Sequence, residues 1–172
     1  MISRPVIAAT RAYSPPHARR GFSLVELLCV VTIMAVLASI GLPLAELSQQ
    51  RGKEEELRRS LREIRSALDA YKRLVDEGHL PRSIDGSGYP PRLESLTEAM
   101  VDAKSPQGRK LYLLRRLPRD PFAPRDIAAP SDTWGLRSYA SPPDDPRPGK
   151  DVFDVYSRSA GVGLDGVAYR NW

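Results

Sequence analysis

The sequence predicts an α+β fold in which a long N-terminal helix, apolar in its first half and amphipathic in its second, packs on a small C-terminal antiparallel sheet. Three features predict it. Leu27–Ala45 contains no charged residue. Leu57, Leu61, Ile64, Leu68, Tyr71 and Val75 then recur at steps of three and four among charged residues, which makes one apolar stripe on a helix. The last 39 residues alternate β-favouring segments with proline- and glycine-rich turns.

The apolar run comes first. Its 19 residues would span ~28 Å as a helix, close to the ~30 Å hydrocarbon core of a bilayer. Ahead of it, residues 1–21 carry Arg4, Arg11, Arg19 and Arg20 and no acid, which holds that end in the cytoplasm and sends the C-terminal part across. An ordinary signal peptide has a shorter apolar core followed by a small-x-small cleavage site, whereas here the run continues past Ala38 and Ser39. Glu26, near its entrance, is the anomaly. A carboxylate at the bilayer centre costs ~2.5–3.5 kcal/mol, so Glu26 either reaches into the headgroups or is kept for a partner.

Composition narrows the function classes. With 41% hydrophobic and 27% charged residues, the chain is neither a disordered tail nor a polytopic membrane protein. The formal charge of +5 invites a nucleic-acid reading, but four of those charges lie in the leader and the rest balances 22 basic against 21 acidic residues. DNA binding therefore loses its main support. The lone Cys29 excludes an intramolecular disulfide and a thiolate zinc cluster. His17 precedes the apolar run and His79 follows a helix end with no partner cue, and no glycine-rich phosphate loop is present; catalysis finds no candidate residue.

Gly21-Phe22-Ser23-Leu24-Val25-Glu26, preceded by Arg19-Arg20 and followed by the apolar helix, resembles the processing site of type IV prepilins and type II secretion pseudopilins. The resemblance implies a cut between Gly21 and Phe22 by a membrane prepilin peptidase, N-methylation of Phe22, and a structural role in a fibre. It implies that Glu26 neutralises the N-terminal ammonium of a neighbouring subunit, and that Pro43 bends the helix by removing one N–H donor.

The remainder fills in the head. Residues 51–77 form the amphipathic half of the helix, with Gly78 as its stop; Phe22–Glu77 would be ~84 Å if helical throughout. A coiled coil is the other reading of the stripe, but about three heptads are short for one, which favours packing against a sheet. A loop and a short helix around Leu93–Met100 follow, and Leu111–Leu114 lead into a proline-rich stretch. Arg115, Arg116 and Arg119 have Asp120 and Asp126 close by and read as a solvated turn. Strands are expected at 134–141 and 152–159, separated by a turn-rich loop, with a glycine turn before the last residues.

The tail narrows the resemblance. Asp120-Pro121, Trp134-Gly135, Tyr139-Ala140-Ser141-Pro142, Asp154-Val155-Tyr156-Ser157, Gly163-Leu164-Asp165-Gly166 and Asn171-Trp172 are similar to the tail of the G-type pseudopilin of type II secretion. That family commonly holds calcium in a longer loop with a second aspartate before Asn-Trp. Here Asp165-Gly166 is followed only by Val167-Ala168-Tyr169-Arg170. Asp165, a carbonyl or two and Ser157 or Ser159 make a thin set against the 6–8 oxygens that calcium takes, so a plain hairpin turn is the competing reading and calcium is expected to add little stability.

The expected organisation is a cleaved leader at 1–21, a membrane and assembly helix at 22–50, and a periplasmic head at 51–172, subdivided at 51–77, 78–133 and 134–172. The expected function is a pseudopilin of the inner membrane. It would polymerise with itself and with minor pseudopilins, and meet the prepilin peptidase and the inner-membrane assembly platform. Alternatives are a type IV pilus or DNA-uptake pilin, or a singly anchored periplasmic binding domain. The near-neutral mature charge and the single cysteine weigh against the first of these.

Overall fold

A computed structural model of the chain describes residues 22–82 and 86–172, and the backbone alone at 40–43. The leader, including Gly21, and the side chain of Pro43 lie outside the described residues. The chain divides into two compact units between Leu44 and Ala45. One α-helix, α1 (Leu24–Asp76), contributes to both.

In the first unit every side chain from Phe22 to Ser39 is exposed. An 18-residue window of α1 reaches a mean hydropathy of 2.5 with none of it buried, so the helix is long and apolar enough to cross a membrane. Thr32 donates its hydroxyl to the Leu28 carbonyl at 2.8 Å, which satisfies the hydroxyl within the helix.

In the second unit the stripe becomes the core. Leu57, Leu61, Ile64, Leu68 and Val75 are buried, joined by Ala67, and Tyr71 packs at the edge. The buried residues other than Val75 form one core cluster with Leu93, Leu96, Leu114, Trp134, Val152, Val155 and Tyr169, so the stripe is consumed within the chain and no partner helix is needed to cover it. Each such leucine or isoleucine contributes about 1.5–3 kcal/mol on burial. The helix stops as expected at Gly78, whose φ of 76° suits glycine. Its N–H bonds the Val75 carbonyl at 3.0 Å and that of His79 bonds Leu74 at 2.8 Å, the paired bonds of a Schellman end.

Among the described residues the β-structure is two separate two-stranded antiparallel sheets, where the sequence predicts one. β1 (Met100–Val101) pairs with β2 (Lys110–Leu111), and β3 (Trp134–Arg137) pairs with β4 (Asp154–Ser157) with Gly135 opposite Tyr156. Both late strands are shorter than the sequence implied. Beyond Arg137 the chain turns, Ser141 N–H bonding the Ser138 carbonyl at 3.0 Å. The Asp151 carboxylate takes the Ser138 hydroxyl at 2.7 Å and the Tyr139 N–H at 2.9 Å, so a side chain replaces the ladder there. The expected helix at Leu93–Met100 is a 3₁₀ turn, Leu93–Leu96. The Leu96 carbonyl accepts from Leu114 N–H at 2.9 Å in place of an amide four residues on, and Met100 enters β1, so the helix does not continue.

Buried Asp102 ties the β1–β2 hairpin to the end of α1. Its Oδ1 accepts from His79 Nδ1 at 2.8 Å and from Lys104 N–H at 3.0 Å, and its Oδ2 from Arg109 at 3.2 Å. Ala103 N–H bonds the His79 carbonyl at 2.8 Å. The His79 hydrogen bond, followed by the Lys104 amide and the charged neighbours, outweighs burial and lowers the Asp102 pKa. A carboxylate whose pKa falls on folding stabilises the fold above its unfolded value, ~3.9, and loses that contribution as pH drops below it. Thermal unfolding of the wild type should therefore fall away below about pH 4. Asp102→Asn should start lower at neutral pH and show a flatter acid limb; an unchanged limb would remove Asp102 as its cause.

Candidate functional site: the processing junction, the apolar helix and the C-terminal loop

Phe22 and Ser23 precede α1, and Phe22 is 81% exposed. Ser23 occupies the N-cap: its hydroxyl accepts from Val25 N–H at 3.3 Å and its carbonyl from Leu27 N–H at 3.1 Å. The helix thus begins two residues past the expected cut, and Phe22 presents open chain. Glu26 lies in the first turn, where the helix dipole favours a carboxylate. Ser23-x-x-Glu26 has the spacing of a capping box. Cutting at Gly21-Phe22 would leave this cap intact. Mass spectrometry of the membrane-associated protein should give a chain beginning at Phe22 with one added methyl group, whereas a start between Ser39 and Gln50 would mean an ordinary signal peptide.

The tail motifs, scattered in sequence, converge in the head. Asp120, 1% exposed, accepts the Ser157 hydroxyl at 2.6 Å and the Phe122 N–H at 2.8 Å, while its own N–H bonds the Thr133 hydroxyl at 3.2 Å. Trp134 donates Nε1–H to the Pro118 carbonyl at 2.9 Å. Gly135 lies against the Tyr156 ring, and a Cβ there would collide with it. Asp-Pro, Trp-Gly and Asp-x-x-Ser are therefore one packing unit, with Ser157 consumed as a donor to Asp120.

The loop 161–172 is laid on α1 by three polar side chains, none of which the sequence marked out. Glu54 Oε1 accepts from Leu164 N–H at 3.0 Å, from the Tyr169 hydroxyl at 2.9 Å and from Gln50 at 2.9 Å. Burial first, then the Glu54 carboxylate, raises the pKa of Tyr169, whose phenol is in any case a donor at neutral pH. Arg58 bonds Asp165 Oδ2 at 2.6 Å and its guanidinium lies 4.0 Å from the Trp172 ring centroid. Arg65 bonds Asp154 at 2.8 Å and the carbonyls of Val155 and Trp172 at 3.1 and 2.8 Å. The only sequence signal was their place beside the apolar stripe.

Asp165 is thus paired with a cation from its own chain, and its Oδ1 accepts Val167 N–H at 3.0 Å. Ser159 Oγ is also engaged, by Gly161 N–H at 3.2 Å. Among the described residues no three His, Cys, Asp or Glu side chains group as metal ligands. The donors at hand do not fit calcium.

Residues 16–42 match the family model of the prokaryotic N-terminal methylation motif. The chain is 31% identical over 105 residues to the type II secretion system core protein G of Escherichia coli, covering 60% of this chain and 67% of that protein. It is 32% identical over 109 residues to that of Klebsiella pneumoniae, covering 60% and 69%. The chain belongs to the type II secretion system core protein G family. The core protein G of Vibrio cholerae serotype O1 is similar over more of the length, 27% identical over 150 residues and covering 85% of this chain. No solved structure matches this chain. The described part of the methylation motif is the capped start of α1, and the long helix with small antiparallel sheets is the α+β arrangement that the core protein G resemblance implied.

Proposed function

We propose that this chain is cut after Gly21, methylated at Phe22, and polymerises as a structural, non-enzymatic pseudopilin into the periplasmic fibre of a type II secretion system. In this reading residues 22–50 are the membrane and assembly helix, and 51–172 form the periplasmic head. Its partners are further copies, minor pseudopilins, the prepilin peptidase and the inner-membrane assembly platform. The observation that carries it is the contrast along α1. From Leu57 the helix buries its stripe inside the head, whereas from Phe22 to Ser39 it has no cover among the described residues. Apolar surface of that extent requires lipid before assembly and neighbouring helices after it. The similarity to core protein G relatives and the methylation motif support the same reading.

In this reading Glu26 is the assembly residue, which receives the ammonium of a neighbouring Phe22, and Pro43 is the position where the helix bends. The test is deletion of the gene followed by comparison of extracellular and periplasmic proteins. Loss of a discrete set of extracellular proteins, retained in the periplasm and restored by complementation, is expected. An unchanged set together with lost surface fibres or DNA uptake would favour the pilus alternative.

A further inference from the structure

We infer that Arg58 is a built-in cation for the C-terminal loop, doing for Asp165 what a bound divalent ion would do, so that the chain alone sets the geometry of the loop. The loop closes on itself: Gly163 N–H bonds the Val167 carbonyl at 2.8 Å, Gly166 N–H bonds Gly163 at 2.9 Å, and Val162 bridges Ala168. Gly166, at φ 79°, makes the turn that presents Asp165 to α1. What this hairpin lacks is a positive charge to fix it to the helix, and Arg58 supplies it at 2.6 Å.

The guanidinium is held from its other side by the Trp172 ring, 4.0 Å from centroid, an attraction that requires a cation. A divalent ion at Asp165 would have to displace Arg58 from Oδ2 or stand beside it against like-charge repulsion. It would also find Oδ1 accepting Val167 N–H and Ser157 engaged with buried Asp120. Glu54, one turn earlier on α1, fixes the same loop through Leu164 N–H and adds no cation. Arg58 and Asp165 are 49% and 40% exposed, so their pairing acts on where the loop sits more than on global stability.

Amide hydrogen exchange of the full-length chain in detergent micelles reads this locally. In the wild type, Leu164 and Val167 should exchange at the same rate in millimolar calcium and in chelator. Arg58→Gln, and separately Asp165→Asn, which keeps an acceptor for Val167, should each speed that exchange about fivefold. The double variant should be no faster than Arg58→Gln alone, because that change already removes the contact that Asp165→Asn removes. Slower exchange with calcium in the wild type, abolished by Asp165→Asn, would overturn the inference. So would unchanged rates in the single variants, or effects that add in the double.

Discussion

Glu26→Ala and Glu26→Gln chains are expected to be processed and to reach the membrane at wild-type level while yielding no fibres. Removing a lone carboxylate from an apolar helix eases insertion, by up to ~2.5–3.5 kcal/mol at the bilayer centre and less near its surface. Glu26 also sits in the first turn of α1, where a capping carboxylate contributes about 0.3–1 kcal/mol. Both local terms are small or favour the variant. In an assembled fibre the ammonium of a neighbouring Phe22 would instead lose its partner at low dielectric, at a cost of about 3–5 kcal/mol. Glutamine separates the roles, since it can still cap a helix start but cannot neutralise a cation. Comparing cleavage, membrane level and sheared fibres for the two variants decides it. Normal fibre yield from both would remove Glu26 from assembly, and fibres from glutamine alone would reduce it to a cap.

The second large effect lies in the head. Asp120→Ala should strip acceptors from the Ser157 hydroxyl and the Phe122 N–H in a fully buried place and leave a small cavity. Each orphaned donor costs about 1–3 kcal/mol, so a loss of about 2–5 kcal/mol is expected. In a unit of this size that corresponds to a melting temperature lower by roughly ten degrees or more. Asp120→Asn keeps an oxygen for the Phe122 N–H and fills the space, but meets the Ser157 hydroxyl with an amide donor where an acceptor stood, so it should recover only part of the loss. Thermal unfolding of the detergent-solubilised full-length chain measures both, and equal melting of Asp120→Ala and wild type would show that the network contributes nothing.

The elements legible from sequence were those with a strong local cause. The apolar run, the stripe from Leu57 to Val75 and the stop at Gly78 rest on composition, periodicity and one conformational requirement, and the structure shows all three. The ends of the late strands were not legible. Whether a strand continues past Arg137 depends on Asp151, which reaches back across a loop of turn residues to take the hydrogen bonds of Ser138 and Tyr139. The 3₁₀ turn at Leu93–Leu96 likewise depends on Leu114, eighteen residues away. Asp120 and Ser157 could be quoted as motif residues, but their mutual bond needed the fold. Arg58 was hidden for another reason: on the sequence it is one arginine among many on a charged helix, with Glu54 at a spacing that reads as an ordinary surface pair. Only the folded loop shows Glu54 and Arg58 both turned toward residues 164–172.

The central claim is that this chain is a fibre subunit. Electron microscopy of fibres sheared from cells producing it with its secretion machinery, using an antibody against the head, tests that claim most directly. Label along the fibres is expected, and its loss together with the fibres in Glu26→Ala. Fibres that carry no label, with all of the chain remaining as single molecules in the membrane, would contradict it and leave an anchored domain that does not polymerise.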